Sequence, residues 1–196
     1  MNGEDKIRGD LEKAIGQRIR SIEAIPEGHS GFTYFVEAED NRYVLRLPPP
    51  GARIAGTADV MRQGRIMQAL HEAGLPTPNV PVISDEPIVD GRPFILMERV
   101  QGMRIEKTAQ EQEPKAIASN AIDVLKRLQA LPLEQTGIGG EDAVTLQVEM
   151  MRWAMLMKRA PEELTQRAGE LAGLLAAQLP VERMPTLVHG DYHYGN

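Results

Sequence analysis

The residues with the clearest chemical meaning follow the short apolar segment 186–188. They are His189, Asp191 and Asn196, with one glycine after the histidine and another before the asparagine. An aspartate on a loop after a strand can accept the proton of an attacking hydroxyl, and a histidine before it can brace the loop with hydrogen bonds. An asparagine five residues later can reach a magnesium ion on nucleotide phosphates. An ordinary polar turn, the alternative, does not explain this combination of residue types.

Two further features have the chemistry to bind phosphate. A glycine-rich turn at 26–31 can point backbone N–H groups at phosphates, although many such turns only join two strands. Its candidate binding residues are Gly28, His29, Ser30 and Gly31. Arg46 is the charged residue in the apolar strand VLRL. It could hold phosphates as a planar fork, or it could extend to water from an edge strand.

The segment FILMERV at 94–100 is an apolar strand followed by Gly102. Such a strand, running into a linker between two lobes, is a place where backbone groups can pair with a purine ring. It could also be a core strand, and the two interpretations are compatible.

Hydrophobic periodicity predicts the elements that must position these residues. An amphipathic helix ends at Gly16, a strand 19–25 follows, and FTYFVEA and RYVLRL form a hairpin with Phe32, Tyr34, Val36 and Ala38 on one face. A helix at 58–73 and strands VPVIS, PIVD and PFILMERV come next. The chain then becomes helical, with a short strand at 186–188. We therefore predict an α+β fold with two lobes, residues 1–100 and 101–196.

Composition narrows the function classes. The 196 residues carry a net charge of −6 and include no cysteine, which excludes disulfides, thiol catalysis and cysteine-bound metals. The pI near 5.3 argues against nucleic acid as the main partner. No apolar run is long enough to span a bilayer, and the charged N-terminus does not look like a secretory signal. A cytoplasmic protein that binds no membrane is the expectation.

Together these residues resemble the aminoglycoside phosphotransferase and choline kinase family. HGDYHYGN has the H-x-D-x-x-x-x-N spacing of a kinase catalytic loop. The order of the preceding segments is also similar: GHSG, VLRLPPPG, RQGRIMQAL, LPTPNV and FILMERVQG. The VLR-PPPG form most resembles a subgroup related to the kinase-like domain fused to some acyl-CoA dehydrogenases.

The resemblance implies a protein-kinase-like fold, with an antiparallel N-lobe sheet, one main N-lobe helix and an incomplete helical C-lobe. It implies Mg²⁺- and ATP- or GTP-dependent phosphoryl transfer to a hydroxyl of a small molecule. Asp191, with His189, would be catalytic, and Asn196 would bind magnesium. The nucleotide would contact the glycine loop and the following residues: Arg46, Gln63, Met97, Glu98 and Val100.

Three departures from the family pattern stand out. Gln63 replaces the usual glutamate that pairs the phosphate-binding cation, so it could hydrogen-bond Arg46 but form no ion pair. The cation itself is arginine rather than lysine. The second magnesium-binding aspartate would lie beyond Asn196, where this sequence stops. We therefore expect the 196 residues alone not to turn over.

Two alternatives stay open at this point. Gln63 and the missing aspartate fit a nucleotide-binding pseudokinase. Alternation of His189, Asp191 and His193 fits a metal-dependent hydrolase, if further ligands come from elsewhere. The acceptor, the choice between ATP and GTP and the oligomeric state are not encoded in any motif.

Overall fold

The computed structural model describes residues 3–25, 32–51, 59–102, 105 and 113–193. Five strands form one antiparallel sheet in the order β1-β2-β3-β5-β4. This confirms the predicted antiparallel sheet and α+β class. The strands are β1 (Ile19–Ala24), β2 (Phe32–Ala38), β3 (Arg42–Leu47), β4 (Val82–Val89) and β5 (Arg92–Glu98). The helices are α1 (Gly3–Ile15), α2 (Val60–Glu72), α3 (Pro114–Ala130), α4 (Leu146–Met157), α5 (Glu162–Thr165) and α6 (Ala168–Ala177).

One face of the sheet is covered by α1. Alternate residues of the strands point to this face because side chains alternate along a strand. They form one buried cluster with the helix: Ile7, Leu11, Ile19, Tyr34, Val36, Leu45, Leu47, Val89, Phe94 and Leu96. Phe32, predicted on the same face as Tyr34, is 42% exposed because it lies at the end of the sheet. Its ring stacks against the Arg92 guanidinium, 4.9 Å away.

The opposite face is covered by α2. Val60 and Met61 of the helix form a buried cluster with Val80, Ile95 and Met97. Asp59 begins this helix, and its side chain accepts a hydrogen bond from the Arg62 N–H at 2.8 Å.

The helix α2 approaches the sheet most closely at Gly64. A Cβ placed there would lie 2.7 Å from Cγ2 of Ile95 and 3.3 Å from the side chain of Ile83. Ile95 is fully buried, so its methyl group has no free space to move into. The missing side chain of Gly64 is what allows this spacing.

Two strand predictions were wrong. VPVIS and PIVD are not separate strands but parts of β4, whose pairing with β5 is irregular between Ser84 and Val89. Pro87 is tolerated inside this strand because β4 lies at the edge of the sheet, where a missing N–H breaks no ladder. Residues 186–188 are not in a strand, and Thr186 bonds to a helix instead.

A two-residue turn at Asp90 joins β4 to β5. Arg92 is buried, and its guanidinium donates to Asp90 at 2.7 Å and to the Pro48 carbonyl at 3.0 Å. Lys6 of α1 bonds the same carboxylate at 2.7 Å. The hydrogen bond from Lys6, together with the charge of Arg92, lowers the pKa of Asp90. The buried cation Arg92 is thus paired from both sides.

The chain divides into two compact units. One comprises residues 1–139 and 186–196, and the other residues 140–185. In the second unit α4 contacts α6, and none of its residues is buried. The predicted lobe boundary at residue 100 stays a prediction. Among the described residues, no helix is long and apolar enough to cross a membrane.

The close approach at Gly64 makes a testable prediction. Alanine is normally the better helix former by about 1 kcal/mol, but here its methyl group would overlap Ile95. We expect Gly64→Ala to lower the free energy of unfolding by about 1–3 kcal/mol in urea titrations.

Gly9 of α1 is the matched control, because a Cβ there meets nothing within 4 Å. Gly9→Ala should leave stability unchanged or raise it by up to about 1 kcal/mol. If Gly64→Ala raised stability as Gly9→Ala does, the close packing of α2 on the sheet would be wrong.

Candidate functional site

The segment 186–193 is tied to α3 at two points. The Thr186 hydroxyl donates to the Gln129 carbonyl at 2.6 Å, and the Tyr192 hydroxyl donates to the Ala121 carbonyl at 2.8 Å. The two acceptors are eight residues apart, which is about 12 Å along a helix. Between the ties, Leu187 packs against a buried cluster made by α2, α3 and the turn that follows α2: Leu70, Leu128 and Leu75. The segment therefore runs along the helix, opposite to its direction.

Within this segment, His189 contacts the backbone of Asp191. The Asp191 N–H donates to Nδ1 of His189 at 3.4 Å. Gly190, between them, has φ +84°, a conformation that favours glycine. This is the kind of bracing that the sequence predicts for His189. The catalytic role of both residues stays a prediction.

The Asp191 carboxylate is open to solvent, with its side chain 77% exposed. One of its oxygens lies 3.6 Å from Nε2 of His193. In the part of the chain that the structure describes, no group of three or more His, Cys, Asp or Glu residues is placed to hold a metal ion.

Arg46 lies on the face of the sheet that α2 covers. It pairs with Ile95 in the neighbouring strand, beside the pair Val44 and Met97. Its Nε is buried and has no hydrogen-bond partner among the described residues. Burial without a compensating charge lowers the pKa of Arg46. This guanidinium is therefore able to receive an anion.

The three residues predicted to contact a purine differ in burial and in backbone hydrogen bonding. Met97 is buried in the cluster under α2, and Val100, beyond β5, is 64% exposed. The Glu98 N–H donates to the Asn79 carbonyl at 2.8 Å. The Glu98 N–H therefore already has a partner within the protein, and the contact of Glu98 with a purine stays a prediction.

Of the other predicted site residues, only Gln63 lies among the described residues. Gln63 is half-buried on α2, and Nε of Arg46 is not bonded to it. The predicted glycine-loop residues Gly28, His29, Ser30 and Gly31 lie outside the described residues, as does Asn196.

Sequence reasoning missed two contacts near these residues. One is the tie from Tyr192 to α3. The other is Arg99, whose guanidinium lies 3.9 Å from the centre of the Phe35 ring and whose N–H donates to Arg42. Neither has a local sequence pattern, because each joins segments far apart in the chain.

Comparison with known proteins gives one family match and several relatives. The model of the phosphotransferase enzyme family APH matches residues 21–196. The chain is 28% identical to acyl-CoA dehydrogenase family member 10 of Mus musculus, over 86% of this chain and 16% of that protein. It is 27% identical to family member 11 of Gallus gallus, over 90% of this chain and 23% of that protein. The chain thus spans less than a quarter of these curated relatives.

Solved structures show the same fold. A Ralstonia eutropha protein assigned as an aminoglycoside phosphotransferase superposes with TM-score 0.74 at 22% identity, covering 96% of this chain and 59% of that one. The apo form of a thermostable mutant of aminoglycoside phosphotransferase APH(4)-Ia gives TM-score 0.69 at 16% identity, covering 96% and 66%. The fold is therefore the protein-kinase-like fold of these enzymes.

Two arginines of the sheet differ in the partners of their guanidinium groups. Nε is buried without a hydrogen-bond partner in both, but Arg92 also donates to Asp90 and to the Pro48 carbonyl, and Arg46 is half-buried beside apolar residues. An unpaired buried donor costs about 1–3 kcal/mol, and methionine can keep the packing of the arginine stem. We expect Arg46→Met to be at least as stable as wild type, and Arg92→Met to lose about 1–3 kcal/mol, in urea titrations without nucleotide.

Equal losses of unfolding free energy in Arg46→Met and Arg92→Met would contradict the view that only Arg92 stabilises the free protein. They would mean that Arg46 stabilises the free protein as Arg92 does, and that it is not held ready for a ligand.

Proposed function

The chain belongs to the phosphotransferase enzyme family APH, and from this premise we propose that it is the nucleotide-binding and catalytic-loop part of a small-molecule kinase. ATP or GTP, bound with Mg²⁺, donates its terminal phosphoryl group to a hydroxyl of a small molecule.

The environment of Arg46 is the observation that supports nucleotide binding. Its Nε–H is buried without a hydrogen-bond partner, which costs free energy, and an anion that accepts from this group would recover that cost. Phosphate oxygens match the planar fork of arginine in two parallel hydrogen bonds. Among solved structures of the same fold, one mutant of APH(4)-Ia is a ternary complex with ADP and hygromycin B (TM-score 0.64).

Phosphoryl transfer is proposed to depend on Asp191. Its carboxylate is exposed, and its backbone is held by His189. In the proposed reaction the acceptor oxygen forms a bond to the terminal phosphorus, and the bond from that phosphorus to the leaving diphosphate oxygen breaks. The acceptor proton moves to a carboxylate oxygen of Asp191.

Magnesium would be held by the nucleotide phosphates together with an oxygen ligand of the chain. Magnesium prefers oxygen ligands and commonly takes one or two carboxylates together with substrate phosphates. The amide oxygen of Asn196 is the proposed protein ligand, and the Asp191 carboxylate remains available for the acceptor proton. When bound, the ion neutralises phosphate charge.

Nucleotide binding tests the role of Arg46. Calorimetric titration of this chain with MgATP, and separately with MgGTP, should show binding by wild type. Arg46→Met should weaken it about 10- to 100-fold, the size expected for a charge-assisted hydrogen bond. Arg20→Met, which removes an exposed arginine of β1, should change nothing. Equal binding by Arg46→Met and wild type would contradict the phosphate role.

Turnover tests Asp191 in the natural protein at its full length. With MgATP and a panel of small alcohols, Asp191→Asn should lower kcat by about 10²- to 10⁴-fold while nucleotide affinity is retained. Wild-type turnover that survives this change would refute Asp191 as the base. Nucleotide binding without any transfer by wild type would select the pseudokinase interpretation instead.

A further inference from the structure

Tyr192 makes contacts that no part of the proposed reaction uses. Its ring is 43% exposed, yet its hydroxyl donates to the Ala121 carbonyl at 2.8 Å. A helix carbonyl has two lone pairs, so it can accept this bond in addition to its bond within α3. The side chain therefore spans from the loop to a fixed point on a helix.

The same ring contacts His189. The two ring centres are 5.2 Å apart and the planes meet at 67°, an edge-to-face arrangement of the kind aromatic pairs favour. The imidazole can accept the Asp191 N–H at Nδ1 only when its proton is on Nε2. Tyr192 thus touches the ring whose orientation and tautomer hold the backbone of Asp191.

We propose that Tyr192 is a positioning residue, which fixes Asp191 by holding His189 against it and by anchoring the loop to α3. The inference rests on the proposed function, because it assigns a role in aligning the base of that reaction. Thr186 fixes the other end of the segment through Gln129, so the loop between them is held at both ends.

Tyr192→Phe is the sharpest test, since it removes only the hydroxyl and the residue is partly exposed. Loss of one hydrogen bond of ordinary strength should lower kcat of the full-length protein about three- to tenfold, with KM for nucleotide unchanged. Tyr192→Leu also removes the ring and should lower kcat further. Tyr43→Phe, on β3 and outside the loop, is the matched control and should retain wild-type kcat.

Two measurements on the present chain separate this proposal from the proposed function, because neither needs turnover. Tyr192→Phe should speed amide hydrogen exchange at Asp191 at least threefold, and Tyr43→Phe should not. The imidazole ¹⁵N shifts, with His189 assigned by loss of its signals in His189→Asn, should show Nδ1 unprotonated in wild type and a mixture of tautomers in Tyr192→Leu.

Either of two results would overturn the proposal. The first is that the amide exchange rate of Asp191 and the imidazole ¹⁵N shifts of His189 are both the same in the Tyr192 variants as in wild type. The other is a Tyr192→Phe protein in which KM for nucleotide rises while kcat is unchanged, since that would place Tyr192 in binding. If wild type transfers no phosphate, the proposed function fails, and the exchange and ¹⁵N results still decide whether Tyr192 holds Asp191.

Discussion

The packing of α2 is the constraint on which the positions of Arg46 and of the segment leading to Asp191 depend. One part of this helix lies so close to the sheet that only glycine fits at position 64, against Ile95. Its C-terminal end contributes Leu70 to the cluster that also packs Leu187, two residues before His189. A single helix of 13 residues therefore contacts both the strands around Arg46 and the segment leading to Asp191. A shift of α2 away from the sheet would disturb both.

Arg92 and Arg46 of the sheet differ in whether the protein itself supplies partners for the guanidinium. Arg92 satisfies its charge inside the protein, through Asp90 and the Pro48 carbonyl, and so stabilises the hairpin it belongs to. Nε is buried without a partner in both arginines, which costs free energy, but the Arg46 guanidinium lies among apolar neighbours and has no carboxylate beside it among the described residues. Cost of this kind, at a group able to bind a ligand, is typical of functional sites. The lowered pKa of Arg46 has the same cause, which is desolvation.

Sequence reasoning predicted what local periodicity and turn chemistry determine. Periodicity and turn residues predict the β2–β3 hairpin, α2 and the apolar strand β5, and residue chemistry points to Arg46 and Asp191 as candidate site residues. It failed where a distant partner decides the outcome. VPVIS and PIVD were predicted as two strands, but an edge position lets β4 continue through Pro87. Residues 186–188 have the composition of a strand, yet Thr186 bonds to α3. Asn79 takes the N–H of Glu98, and Tyr192 reaches Ala121, with no local pattern to announce either.

The most direct measurement observes the Nε–H group of Arg46 by ¹⁵N NMR while a non-hydrolysable analogue of ATP, and then of GTP, is added with Mg²⁺. The signal is assigned by its loss in Arg46→Met. If this guanidinium receives the nucleotide phosphates, its Nε–H resonance should move downfield and exchange more slowly with water at saturation. Nucleotide binding that changes other resonances but leaves this one in place would contradict the phosphate-binding role of Arg46.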